Sequence, residues 1–400
     1  MKTVLRSVLL AAAVAFIALS PADAEAQSMN RIAGWFKIYD EALANWDVVD
    51  DENSDLKATL VRKTPGTGPQ KRVFVLYPRK SSAYDVAMTK ILTVFAEKDL
   101  NVKFTVENYT NKTDAGKAVM AQAYKDGYDL IFSMGSESTA FLYQNFRDSK
   151  IPVVTVCSKD PVQLGQMKDY ESGSGINFAF TSLNVLLEVQ MAYLKELKPN
   201  LKNIGILVDL KNTSAVETQG RPIAEAARKE GINAFDVAVD DPAMAKDQLA
   251  QVVPAAVARM RKNDPELKDS VFWVTGSTSV FVEMATINQH SDKVPVISVV
   301  PENVQEGPDS AVMSIGVRFD SNAHLAAIYG ADVVTGKTEA SKMKVGVVSP
   351  PDIALNFLRA RDIGLKVPFS FFEASAYVYD HVGKVVRNKG QSVVKSGGDS

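Results

Sequence analysis

Two stretches of this chain repeat one pattern in one order, and few architectures accommodate that. Residues 129–140, DLIFSMGSESTA, are an apolar run ending in Gly-Ser. A helix-length segment follows, then residues 151–160, IPVVTVCSKD, an apolar run opened by Ile-Pro. Residues 271–279, VFWVTGSTS, again end in Gly-Ser, lead into a helix-like segment and resolve into a Pro-started run at 294–300, VPVISVV. Each reads as strand, loop, helix, strand, one parallel β-α-β unit. Upstream, residues 71–82, KRVFVLYPRKSS, have a counterpart in residues 202–214, KNIGILVDLKNTS. Two blocks in one order, at similar spacing, imply two lobes of one architecture.

In such units the loop after a strand lies at the carboxyl edge of the sheet, where small ligands are held. Gly135 lets the backbone come close to a ligand. Ser136 and Ser138 offer hydroxyls and amides at a helix N-terminus, which favours a carboxylate. Gly276, Ser277 and Thr278 take the same place in the second block, and Ser81, Ser82 and Tyr84 follow the first strand. The plainer reading of Gly-Ser is a strand end and a helix cap. Asp160 or Glu137 would meet an ammonium group, with a solvated loop charge or a helix cap as the alternative for each acid. Phe178 and Phe180 would stack on a ligand or fill a hinge.

A chain of 400 residues, 46% apolar and 23% charged, can bury two sizeable cores without metals or disulfides. A net charge of −2 gives no reason to expect nucleic acid. Lys2 and Arg6 precede an apolar stretch at 8–19 and small residues at 20–26, the layout of a secretory signal peptide over residues 1–26, and short for a membrane span. No cysteine near the cleavage region offers a lipoprotein anchor. Cys157 is the only cysteine, sits in an apolar run and reads as a small buried hydrophobe.

The order of elements follows. An extension at 27–70 has helical spacing over 30–46 and a polar, irregular connection over 47–70; it packs on a lobe or carries a partner surface. Strands are expected at 73–77 and 102–106, with helices at 84–97 and 114–125. Residues 171–175, rich in Ser and Gly, read as a crossing between lobes. The second lobe runs strand 204–208, helix 216–230, strand 234–239 and helix 242–261. A return crossing is expected at 301–309, then a strand at 311–317, a helix at 321–335, a strand at 344–348 that crosses again, and a helix over 353–362. These place lobe 1 at 71–176 plus 305–343, lobe 2 at 177–304 plus 344–388, and a disordered tail at 389–400. Several crossings make a hinge, which lets a cleft close on a ligand.

On the segments DGYDLIFSMGSESTA, IPVVTVCSKDPVQLG, NIGILVDLKNTSAV and AVMSIGVRFDSNAHLAAIYGADVVTGK, the chain resembles the solute-binding proteins of bacterial ABC importers, in the branch similar to receptors for tryptophan, tyrosine and related amino acids. The resemblance spans residues 73–368. It implies two Rossmann-like α/β lobes with parallel sheets, joined by a multi-crossing hinge: a type I periplasmic binding fold. It also implies a ligand between the lobes, against Gly135 and Ser136, Asp160, and Asn212 and Ser214. The partners it implies are a small-molecule ligand and an ABC permease in the inner membrane, with the protein a periplasmic monomer that needs no cofactor. The chain departs from the family at SGSGINFAF, at Asp209, where an Asn is common, and at Glu137, where a small residue is frequent. The expected ligand is an aromatic or branched amino acid or similar carboxylate; the alternative is a lipid- or sterol-like molecule for a carrier or sensor. Catalysis is the rival from another class, but G-x-S-x-G, H-E-x-x-H and G-x-x-x-x-G-K-[ST] are all absent from the sequence.

Overall fold

A computed structural model describes residues 32–393, so the signal peptide expected at 1–26 and residues 394–400 of the tail lie outside the described residues. The apolar runs become two sheets. The first holds β1 (Trp46–Asp51), β2 (Ser54–Arg62), β3 (Thr67–Tyr77), β4 (Leu100–Asn108), β5 (Leu130–Met134), β6 (Val153–Val156) and β7 (Phe178–Ala179), in the order β1-β2-β4-β3-β5-β6-β7. β4, β3, β5, β6 and β7 are mutually parallel. Both faces of β3 are covered, which is why Val73 to Tyr77 is unbroken apolar sequence. Val73, Val75 and Tyr77 pack with the helices Ser82–Glu97 and Phe319–Val334. Phe74 and Leu76 pack with Thr113–Asp126 and Gly135–Phe146 on the opposite face.

The second sheet runs through β9 (Asn203–Asp209), β10 (Asn233–Val239), β11 (Ser270–Val274), β12 (Val296–Ser298), β13 (Met313–Gly316), β15 (Asp352–Asn356), β16 (Tyr377–Tyr379), β17 (Val385–Asn388) and β18 (Gln391–Ser392). Its order is β10-β9-β11-β12-β13-β15-β16-β17-β18. The parallel cores of both sheets therefore share one strand order, second-first-third-fourth-fifth, as the repeated blocks require. In that order the connections leave the first and third strands in opposite senses, and the crevice between them is where ligands sit.

The chain passes between lobes three times. β8 (Thr181–Ser182) and β14 (Gly346–Val347) pair in parallel as two of the crossing strands, and residues 317–319 make the third passage. Asn322 ties them: its Oδ1 accepts from Cys157 N at 2.8 Å and its Nδ2 donates to Ser182 O at 3.1 Å.

Several expected boundaries move. Residues 171–175 stay within the first lobe, where Gly175 N donates to Ser341 O, and the passage comes only after β7, which still pairs with β6. Residues 301–309 are a loop of the second lobe, because β13 beyond them pairs with β12 and β15; the return to lobe 1 is at 317–319 instead of 305. The helix expected over 353–362 is strand β15, antiparallel to β13, followed by a short helix at Phe357–Asp362. The tail expected to be disordered from 389 begins with pairing of β17 and β18.

The extension differs most. No single helix spans the extension: helix is assigned at Ile32 and at Asp40–Leu43, residues 36–39 between them belong to no helix or strand, and the supposed irregular connection is the β1-β2 hairpin added antiparallel to β4. Its aromatic residues, which suggested helical periodicity, serve a cluster instead: Trp35 and Phe36 sit edge-on to Tyr77 at 5.4 and 5.9 Å. Trp46 is fully buried and its Nε1 donates to Leu92 O. Among the described residues no helix is long and apolar enough to cross a membrane, and no group of His, Cys, Asp and Glu is arranged to hold a metal ion.

Candidate functional site

The loops after β3 and β5 in one lobe, and after β9 and β11 in the other, meet around one cleft. Its deep end is a cavity of about 40 Å³ lined by Arg79, Tyr84, Glu137 and Lys159 from the first lobe, by Asn212, Ser214, Gly276 and Thr278 from the second, and by Leu183 and Phe319 of the crossings. An outer cavity of about 480 Å³ shares Arg79, Ser136, Glu137, Asn212, Ser214 and Thr278 and adds Asp209.

Gly135 begins its helix with φ +77°, a backbone that L side chains rarely adopt, and a Cβ there would collide with Tyr84 Oη. The glycine therefore lets the hydroxyl end of Tyr84 press against the helix start. Tyr84 Oη reaches Glu137 Oε2 at 3.4 Å, and Arg79 Nε donates to Glu137 Oε1 at 3.0 Å. Burial, then the Glu137 charge, holds the Tyr84 hydroxyl well above its ordinary pKa, so it stays protonated and can donate. Ser136 Oγ accepts from Lys159 N at 3.0 Å, which fixes the loop after β6 against the loop after β5.

Opposite, Asn212 is a helix cap whose Oδ1 accepts from Ala215 N and Ser214 Oγ. The helix it starts contains a π turn, Val216–Gly220, that swings Gln219 inward, and Gly276 N donates to Gln219 Oε1 at 2.7 Å. Asp209 is held by Ser279 Oγ and Lys211 N at the outer rim.

The sequence did not single out Lys159, Arg79 or Gln219. Lys159 leaves β6 in the first lobe and crosses the cleft until its Nζ occupies the space a Cβ on Gly276 would fill. It is only 8% exposed, and among the described residues no carboxylate lies within 4.0 Å of its Nζ. Burial pulls its pKa down to about 8, opposed by the attraction of Glu137. The signal available was a lysine between two residues read as site and strand, in the sequence CSKD.

Other expected residues do not reach the cleft. Asp160 accepts from Val162 N and Gln163 N and from the Tyr170 hydroxyl, capping its own loop, and is absent from both linings. Ser138 is fully buried and bonded to Ser133 Oγ and Met134 O, where it closes the end of β5. Ser277 is likewise buried against Thr275 Oγ1. Phe178 stacks on Phe180 at 5.3 Å inside the first lobe, because β7 is a strand of that sheet and not a hinge segment. Ser82 is exposed on the first turn of its helix, whereas Ser81 lines the deep cavity. Cys157 lies just past β6 and lines the same cavity, but burial pushes its thiol pKa up, which disfavours the reactive thiolate.

The family model described as ABC transporter substrate binding protein matches residues 83–375. No curated protein sequence gives a significant match. Among solved structures the chain is similar to the L-Trp complex of an ABC domain from Streptococcus pneumonia, with 18% identity over 78% of this chain and 100% of that one and a TM-score of 0.61. It is similar to a conserved domain protein from Vibrio cholerae at 18% identity, over 77% of this chain and 99% of that one, TM-score 0.61. It is also similar to the ligand-free, open structure of a substrate binding protein with adhesive properties from Clostridium difficile, at 19% identity over 74% and 96%, TM-score 0.57. These likenesses show the two-lobed fold of type I periplasmic binding proteins.

Proposed function

The chain belongs to the family of ABC transporter substrate-binding proteins, and from that premise we propose that it captures a small carboxylate ligand in the inter-lobe cleft and presents it to an ABC permease. The ligand class is an aromatic or branched amino acid or a similar carboxylate. The observation that carries this reading is the continuous cleft: an outer cavity of about 480 Å³, large enough for such a ligand, is lined by side chains of both lobes and leads to the small deep cavity, so that a ligand there contacts both halves at once. A ligand that binds both lobes favours the closed arrangement by its differential affinity for it, and closure is the form a permease distinguishes. Binding, not catalysis, is the activity we assign.

Charged and polar groups in the lining support a small acid over a lipid- or sterol-sized molecule. The alternative wanted Phe178, Phe180 and Tyr84 on a cleft wall with few charges; Tyr84 does line the deep cavity, but both phenylalanines are packed within the first lobe, and Arg79, Glu137 and Lys159 make the wall charged. The neighbour described with L-Trp is of the size class proposed. The sequence layout of residues 1–26 supports export to the periplasm, and we read the exported protein as a monomer.

The test is to purify the mature protein without denaturation, identify any extracted compound by mass spectrometry, and titrate a panel of L-amino acids and their 2-oxo acids by calorimetry. One small acid bound per chain, with a smaller radius of gyration in solution scattering, is expected. Extraction of a lipid or sterol would overturn the ligand class.

A further inference from the structure

The deep end of the cleft holds a buried lysine, Lys159, with no carboxylate within 4.0 Å of its Nζ among the described residues. Glu137 is the carboxylate whose charge acts on it, Asp160 follows it in sequence, and Asp209 stands on the facing lobe. Glu137 is engaged by Arg79 Nε and the Tyr84 hydroxyl. Asp160, next to Lys159 in sequence, is turned away into its own loop by Val162 N, Gln163 N and Tyr170. Asp209, on the facing lobe, lines only the outer cavity and is held by Ser279 and Lys211 N. The charged residues of the deep lining are thus Arg79 and Glu137, which pair, and Lys159, which is left over. An unpaired buried ammonium is expensive, and structures keep one where something else completes it.

Two further features aim this cation at a ligand. Gly276 has no side chain where Lys159 Nζ arrives, so the second lobe leaves room for the ammonium at the meeting point of the lobes. Ser136 Oγ holds the Lys159 backbone, which fixes the stem from which the side chain extends. The deep lining has no unpaired carboxylate to receive a ligand ammonium.

We infer that Lys159 is the anion-binding residue of the cleft, and that the ligand is an organic acid recognised by its carboxylate with no requirement for an α-ammonium group. This deepens the proposed function and rests on it. An acid entering from the cleft mouth would set its carboxylate beside Lys159 Nζ, which itself abuts the Gly276 loop, so that a charge-assisted contact ties the ligand to the seam of both lobes.

The experiment is calorimetric titration of L-phenylalanine, 3-phenylpropanoate and 2-phenylethylamine into the wild-type protein and into Lys159→Met and Lys159→Arg, with native extraction and mass spectrometry of each. Lys159→Met removes a buried unpaired charge while keeping most of the volume, so thermal denaturation should find it folded and no less stable. The expected result is that 3-phenylpropanoate binds at least as tightly as L-phenylalanine, that the amine does not bind, and that Lys159→Met weakens the acids by about 10- to 100-fold. Lys159→Arg should retain part of the affinity. A co-purified compound with an acid group, lost from Lys159→Met, supports the same conclusion. Binding of the amine, unchanged affinity in Lys159→Met, or a co-purified compound without an acid group would overturn it while leaving a ligand receptor in place. If neither the probes nor any extracted compound occupies the cleft, the receptor reading itself fails.

Discussion

Arg79 Nε and Glu137 Oε1, 3.0 Å apart, join the loop after β3 to the first turn of the helix after β5. They are the two loops of the first lobe's crevice, so the ion pair sets the charge that the wall presents to a ligand. Glu137 is also the residue that shields Lys159 most.

Glu137→Gln keeps the shape of that wall and removes its negative charge. Affinity for 3-phenylpropanoate is expected to rise about three- to tenfold, and Arg79→Gln to lower it, because the pair is partly solvated and each charge acts through screened space. Calorimetry at two salt concentrations checks this, since the difference should shrink as salt is added.

Gly135→Ala should destabilise the first lobe by ~1–3 kcal/mol, from positive φ and from displacement of Tyr84. Gly127→Ala is the control. It has a similar φ of 68° but open space around it, so its loss of ~1 kcal/mol measures backbone strain alone. Equal melting temperatures for the two variants would remove the Tyr84 contact from the explanation.

Glu302 lies at the third crossing, where its Oε1 accepts from Phe319 N at 2.9 Å and faces Arg318 at 3.8 Å, while its Oε2 has neither solvent nor partner. Burial, partly offset by Arg318, raises its pKa from 4.5 to about 7. Between those values the folded chain holds a proton that the unfolded chain has lost, so this group makes stability fall as pH rises, by up to ~1.4 kcal/mol per pH unit. Glu302→Gln should flatten denaturant-unfolding stability across that window, and an unchanged slope would dissociate Glu302 from it.

The pH dependence of ligand binding has a different origin. Lys159 faces Glu137, Arg79 and the Cys157 thiol, and its pKa is about 8 against 10.5 when free. Affinity for 3-phenylpropanoate should be flat near pH 6 to 7 and fall by up to about tenfold per unit above about 8, as the ammonium is lost. Folding strips this proton between about 8 and 10.5, so through Lys159 alone stability rises with pH there. Lys159→Arg should abolish the alkaline loss of binding in the same titrations.

Trp46 anchors the hairpin that extends the first sheet, with no exposed surface and its Nε1 on Leu92 O. Trp46→Ala should cost ~3–5 kcal/mol, read as a lower denaturation midpoint. That magnitude makes the extension part of the lobe's core; a loss under ~1 kcal/mol would return it to the surface.

What local pattern encodes is legible. Ser136, Gly276, Thr278, Asn212 and Ser214 line the cleft because a strand followed by small polar residues and a helix declares its own carboxyl edge, while Gly135 starts the helix behind that wall, against Tyr84. Asp160, Ser138 and Ser277 were misplaced for one reason: a short polar side chain beside a turn can bond its own backbone or a neighbour, and sequence does not say which way it faces. Phe178 reads in the sequence as a residue that stacks on a ligand or fills a hinge, because the Ser-Gly run before it resembles a crossing, whereas pairing with β6 keeps it in the first sheet.

Two parallel α/β halves of one build are readable from residue order alone, because buried strands must be continuous apolar runs and their loops must be small and polar. Which charges are paired and which stand alone emerges from the folded chain. Arg79, 58 residues from Glu137, neutralises it, and Lys159 meets Gly276 across the cleft. Such pairings depend on the distance and burial of side chains brought together by long-range packing, and an electrostatic energy that changes steeply with both cannot be read from spacing along a chain.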